Sequence, residues 1–183
     1  MTKIGLPHGL RVGAALAVAI LALDQACKFY LFHVMRLSET RPIPILPFLD
    51  LSFVWNYGIS YGLFQQDNEI GRWILVGLSL AAVVLIFVWL WRTSSLPTAL
   101  ALGLIAGGAL GNALDRALYG AVMDFLHLHG GAVRWLDFPY LFNVADAAIS
   151  LGVVLLVGES MFAKRDIKRE TKRGALEPDR DPG

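Results

Sequence analysis

Long apolar runs separated by polar stretches dominate the chain, and four of them are long enough to cross a lipid bilayer. A helix spanning about 30 Å of hydrocarbon needs about 20 largely apolar residues. Residues 10–32 form the first run, apolar except for Arg11 at its start and Asp24, Gln25 and Lys28 near its end. Residues 73–91 are uncharged and carry tryptophan at both ends, as interfacial belts prefer. Residues 96–114 follow after only Arg92-Thr93-Ser94-Ser95, and residues 142–163 hold Asp146 near their start and Glu159 near their end. The pattern predicts an all-α membrane fold, a four-transmembrane-helix bundle.

The intervening segments, 33–72 and 115–141, have a different period. Leu49, Leu51, Phe53, Trp55 and Tyr57 alternate with Asp50, Ser52, Val54 and Asn56, which predicts a strand. Pro42, Pro44 and Pro47 precede it and are expected to keep that stretch extended but unpaired. Residues 121–129 and 132–138 flank Gly130-Gly131, a pair suited to a tight hairpin turn. A small extracytoplasmic β-platform on the helix ends is therefore expected. Orientation follows from the basic residues. Lys3 and Arg11 precede the first span, Arg92 lies between the second and third, and Lys164, Arg165, Lys168, Arg169, Lys172 and Arg173 follow the fourth. The positive-inside rule makes both termini cytoplasmic. Residues 1–163 read as a single integral membrane domain. Residues 164–183, polar and mixed in charge, read as a cytoplasmic disordered tail.

Composition agrees. The 183 residues suit one domain. They are 56% hydrophobic and 17% charged, where soluble domains carry about 25% charged residues. Net charge +1 argues against a nucleic-acid partner. Cys27 is the single cysteine, so neither an internal disulfide nor a multi-cysteine metal site is available. A rival reading makes residues 1–26 a cleaved signal peptide ahead of Cys27. Asp24-Gln25-Ala26 before that cysteine is the wrong sequence for a lipoprotein signal, so a retained helix is favoured.

Ionisable groups inside a bilayer are costly and are usually functional or paired. At 1.5 Å per residue, Asp24 lies roughly 21 Å along the first helix. Asn112, Asp115 and Arg116 lie roughly 24 to 30 Å along the third, and Asp146 roughly 6 Å from the start of the inward-running fourth. Asp124 follows on the outer hairpin. Four aspartates thus converge on one outer layer. Two neighbouring carboxylates cannot both ionise cheaply, so one retains a proton while the other acts as a base. Such a pair can activate water and protonate an amide without a metal. Asp115 beside Arg116, and Asp24 one turn from Lys28, read as structural ion pairs. The alternatives are a mutually satisfied polar layer in a non-catalytic scaffold, or a small ion-coupled carrier. Carriers usually place charge near the midplane and often show internal repeats, and the chain shows neither.

Four blocks then carry a resemblance: Asp24-Gln25-Ala26-Cys27-Lys28; residues 56–64 beginning Asn56-Tyr57-Gly58; residues 107–116 continuing through Gly120-Ala121-Val122-Met123-Asp124-Phe125; and Phe142-Asn143-Val144-Ala145-Asp146. In this order they resemble lipoprotein signal peptidase (signal peptidase II). The resemblance implies an intramembrane aspartyl endopeptidase in the bacterial inner membrane. It implies Asp124 and Asp146 as the catalytic pair, and Asn56, Gly58, Asn112, Arg116, Asn143, Asp24, Lys28 and Asp115 as supporting or substrate-binding positions. It also implies diacylglyceryl-modified prolipoproteins as substrates, cut on the amino side of the lipidated cysteine near the outer membrane face. Neither cofactor nor metal is implied, and membrane lipid and a monomeric state are expected. Ile59, Ser60 and Tyr61 depart from the family's small residues and bear on substrate contacts in that loop.

Other features read more plainly. Gly103, Gly107 and Gly111 repeat every four residues and suit close helix packing, with Gly111 also clearing space for Asn112. His127 and His129 lack a cysteine partner and read as solvated imidazoles. Trp55, Trp73, Trp89, Trp91 and Trp135 read as interface anchors, and Cys27 as a small packing residue.

Overall fold

Sustained apolar runs without internal proline or strand-like alternation fold as helices, because in lipid every backbone group must be bonded within its own segment. The computed structural model describes residues 6–58, 69–129 and 141–176. Within them, α1 (His8–Phe29), α2 (Glu69–Arg92), α3 (Leu96–Tyr119) and α4 (Val144–Leu176) are the long helices. A π-helical turn, Tyr30–Val34, prolongs α1. Four stretches are long and apolar enough to cross a membrane: His8–Val34, Glu69–Arg92, Leu96–Tyr119 and Val144–Met161.

The third helix is central. α1, α2 and α4 all pack on it, and most of its length is buried. Small residues make this possible. A β-carbon on Gly103 would lie 2.6 Å from the Gly13 carbonyl oxygen, and one on Gly107 the same distance from that of Ala17, so these two seat α1. Gly108 seats α4, since its β-carbon would lie 2.4 Å from the Ala145 carbonyl oxygen. Gly108→Ala is therefore expected to push the start of α4 outward and to cost about 1 to 3 kcal/mol. Thermal unfolding in detergent checks this, and an unchanged midpoint would show that the interface yields freely.

Helix ends differ from the apolar limits. α3 continues past residue 114 to Tyr119, so Asp115 and Arg116 are helical and buried; it stops at Gly120, whose φ of 84° is the left-handed cap glycine permits. Backbone helix also continues through residues 164–176, where a disordered tail was predicted. The reason is local: Lys, Arg, Glu and Ala are strong helix formers, and propagation from an existing helix avoids the cost of nucleation.

The sheet consists of β1 (Ile43–Leu46), β2 (Leu49–Asn56), β3 (Val122–Leu128) and β4 (Leu141–Phe142), antiparallel in that order. The proline-rich stretch is thus paired, not free: Pro44 lies opposite Asp50. Its place on the edge strand explains this, because an edge tolerates a missing N–H. The predicted hairpin at Gly130-Gly131 and the run 132–138 lie outside the described residues. β2 and β3 place Val54 opposite Asp124, and β3 places Leu126 opposite Phe142, immediately before α4. One sheet face closes on the end of α1 through Leu31, Leu37, Met123 and Phe125, with Phe32, Phe53 and Trp55 around them. Asp124, between Met123 and Phe125, belongs to a strand within a sheet, not to a loop.

Candidate active site

The start of α4 organises the site. Asn143 precedes the helix and Asp146 is three residues on, the spacing of a capping box. Asn143 Oδ1 accepts from the Asp146 backbone N–H at 2.9 Å, and Asp146 Oδ2 accepts from the Asn143 N–H at 3.2 Å. A third acceptor comes from another helix: Asp24 Oδ1 of α1 accepts from the Ala145 N–H at 3.0 Å. The positive end of the helix dipole favours both carboxylates there.

Amide side chains bridge Asp146 to Asp124. Asn143 Nδ2 donates to Asp124 Oδ1 at 2.8 Å and to Asn112 Oδ1 at 3.1 Å. Asn112 Nδ2 in turn donates to Asp146 Oδ1 at 2.8 Å. The other oxygen of Asp124 accepts from Asn56 Nδ2 at 3.0 Å, and Asn56 Oδ1 accepts from the Gly58 N–H. Arg116 closes this side by donating through Nη2 to the Gly58 carbonyl at 2.6 Å and through Nη1 to that of Asn112. It lies within electrostatic reach of Asp146, Asp124 and Asp115, and among the described residues its buried Nε has no hydrogen-bond acceptor.

Lys28 lies behind them. Its Nζ is 2.7 Å from both Asp24 and Asp115, and 3.5 Å from Asn112 Oδ1. The expected Asp24–Lys28 pair is present. The expected Asp115–Arg116 pair is not: Asp115 turns to Lys28, Gln25 and the Met123 N–H. Adjacent helical residues point about 100° apart, so neighbours in sequence do not face each other. All ten residues singled out from the sequence join one network.

A family model described as signal peptidase (SPase) II matches residues 16–162. The chain belongs to the signal peptidase II family. As a member it is an enzyme, a peptidase of the aspartic type. Similar relatives include the lipoprotein signal peptidase of Methylorubrum extorquens, 55% identical over 151 residues that cover 82% of this chain and 86% of that one. That of Methylobacterium radiotolerans is 53% identical with the same coverage. A solved bacterial membrane enzyme shares the fold with a TM-score of 0.72, at 22% identity, over 84% of this chain and 90% of its own.

Residues not singled out as site positions also shape this signal peptidase II site. Gln25 donates to Asp115 Oδ1 at 2.9 Å and to Asp24 Oδ2 at 3.2 Å, joining two acids with one amide. Gly111 makes room for Asp24 rather than Asn112, since a β-carbon there would lie 2.7 Å from Asp24 Oδ2. Trp55 packs edge-on against Phe53 and Phe32. His129 pairs with Asp50 at 3.3 Å instead of facing solvent alone. Among the described residues, no cluster of His, Cys, Asp and Glu is arranged to hold a metal ion.

Burial, reinforced by the Asp146 charge, pushes the Asp124 carboxyl up to about 7, against the pull of the Asn56 and Asn143 hydrogen bonds. Two carboxyls joined by two amides, one of them holding its proton near neutrality, can take a proton from water and give one to a leaving amine.

Proposed function

We propose that this enzyme removes signal peptides from diacylglyceryl-modified prolipoproteins, cutting on the amino side of the lipidated cysteine. The observation that carries the reading is the Asp124–Asn143–Asn112–Asp146 chain at the sheet-bearing end of a four-helix membrane bundle. Similarity to lipoprotein signal peptidases supports the substrate class. The basic residues around the helix ends support an inner-membrane orientation with both termini cytoplasmic and the site near the outer face. A monomer in contact with lipid suffices, because each of the ten site residues comes from one chain.

In this mechanism Asp124 and Asp146 form a pair sharing one proton. One carboxylate removes a proton from water, whose oxygen attacks the scissile carbonyl carbon. The other carboxyl protonates the departing nitrogen as the C–N bond breaks, leaving a free carboxyl on the signal peptide and a free amine on the cysteine. The pair titrates as a unit, so the two roles belong to the pair.

The test incubates purified enzyme with a diacylglyceryl-modified prolipoprotein and with its unmodified form. Release of the signal peptide from the modified form alone is expected. Equal cleavage of both forms would remove the lipid from the recognition scheme, and no cleavage of either would remove the function.

Activity should also depend on pH. The pair needs one proton, and Asp124 loses its proton near pH 7, so kcat/KM is expected to fall as pH rises through about 7. Stability follows the same sign. Between about pH 4 and 7 the folded state holds a proton that the unfolded chain has lost, so stability declines as pH rises across that interval. A kcat/KM profile flat from pH 6 to 8 would contradict the shared proton.

A further inference from the structure

A cleft opens at the sheet-bearing end of the bundle, between α1, α3 and the sheet, and neither Asp124 nor Asp146 lines it. Its volume is about 200 Å3. Its walls are aromatic rings from separate elements: Phe29 from the end of α1, Phe32 and the imidazole of His33 from the π-helical turn, Trp55 from β2 and Tyr119 from the end of α3. Phe32 meets Trp55 edge-on with centroids 5.8 Å apart, and Trp55 lies 5.7 Å from Tyr119. The floor is polar, made by Gln25, Lys28 and Asp115.

Two features distinguish this cleft from ordinary packing. The π-helical turn Tyr30–Val34 departs from α geometry where it supplies Phe32 to the wall, and such turns are rare and frequent at functional sites. The floor is also charged. Lys28 lies 2.7 Å from both Asp24 and Asp115, so its ammonium is compensated beneath the rings. Aromatic faces attract cations and repel anions. Phe29 and Tyr119, at the ends of two membrane-spanning helices, are 63% and 52% exposed, so the mouth of the cleft is open.

We propose that this cleft binds the ammonium headgroup of a zwitterionic phospholipid, seated among Phe29, Phe32, Trp55 and Tyr119 above the Lys28–Asp115 floor. The charge of Lys28 does not oppose it, because two carboxylates lie within 2.7 Å of that ammonium. A lipid in this position braces β2 from the face opposite Asp124, and β2 carries Asn56, which holds Asp124. The site stands apart from the peptidase reading, which can fail without affecting it.

The test uses the purified full-length protein in a non-ionic detergent, supplied with equal amounts of phosphatidylcholine, phosphatidylethanolamine and phosphatidylglycerol of identical acyl chains. Native mass spectrometry reads the lipids retained. One ammonium-bearing lipid per chain is expected to be retained about tenfold over phosphatidylglycerol. Tetramethylammonium chloride should displace it, while sodium chloride at the same concentration should not. Phe29→Leu and Tyr119→Leu should each bring the ratio toward parity. Equal retention of phosphatidylglycerol would mean that the cleft takes acyl chains and would overturn the proposal. A preference that survives both substitutions and tetramethylammonium would place the ammonium site elsewhere and overturn it equally. If either variant does not fold, displacement from the unaltered protein decides alone.

Discussion

Asp124→Asn and Asp146→Asn are each expected to lower the cleavage rate of a lipidated prolipoprotein by about a thousandfold or more. An amide neither takes a proton from water nor gives one to a leaving nitrogen, so either substitution removes half of the shared-proton pair. Both sites also lose hydrogen bonds. Asp146 accepts from Asn112 Nδ2 on one oxygen and from the Asn143 N–H on the other. An amide at this position turns one of those acceptors into a donor facing a donor. Asp124 meets the same conflict, with Asn143 on one oxygen and Asn56 on the other. A stability loss of about 1 to 3 kcal/mol is therefore expected in each variant. Melting temperature and activity should be measured together, so that loss of chemistry is read on folded protein. Normal cleavage by either folded variant would remove that aspartate from the reaction.

Lys28→Met is the second large effect, and it acts on stability first. Lys28, Asp24 and Asp115 are buried, with exposures of 5%, 0% and 1%. Methionine keeps the length of the side chain but leaves two buried carboxylates facing each other without a counter-charge. Removing one partner of a buried ionic group costs about 3 to 5 kcal/mol. A lowered unfolding midpoint and reduced yield of folded protein are expected. Activity should fall with it, because Asp24 seats the N–H of Ala145 next to Asp146. Adding Asp115→Asn to Lys28→Met removes one of the two unpaired charges, so the double variant should regain part of the loss. An unchanged midpoint in the single variant would show that the triad holds nothing together.

The helices and the membership of the site were legible in the sequence, whereas the partnerships were not. Hydropathy located four spans because lipid imposes a length on each. It ended the third at residue 114, since Asp115 and Arg116 look like a helix end when lipid is the only imagined neighbour. They face protein instead, where Lys28 and the Gly58 carbonyl meet them. Lys28 and Asp115 are far apart in sequence, and no local spacing announces their contact. By contrast, the capping box was open to inspection: Asn143 and Asp146 stand three apart just before an apolar run. Pairing of Pro44 was not readable, because proline in a strand is forbidden or tolerated according to whether the strand lies at the edge. Helix beyond residue 163 was missed because a charged composition suits both a solvated helix and an unstructured tail.

Two helix starts in this bundle are completed by acids from other helices. Asp24 of α1 accepts from the first turn of α4, and Glu159 of α4 takes hydroxyl hydrogen bonds from Ser95 and Thr98 at the first turn of α3. The ribosome delivers these elements in the order α1, α3, α4. During synthesis, then, α1 enters the bilayer with Asp24 partnered only by Lys28 and Gln25, and α3 enters with the Ser95 and Thr98 hydroxyls lacking Glu159. Both debts are settled when α4 docks, so the last span to emerge acts as the latch of the assembly. A nascent chain halted before Val144 would leave Asp24 without the Ala145 N–H, leave the Ser95 and Thr98 hydroxyls without Glu159, and lack Asp146.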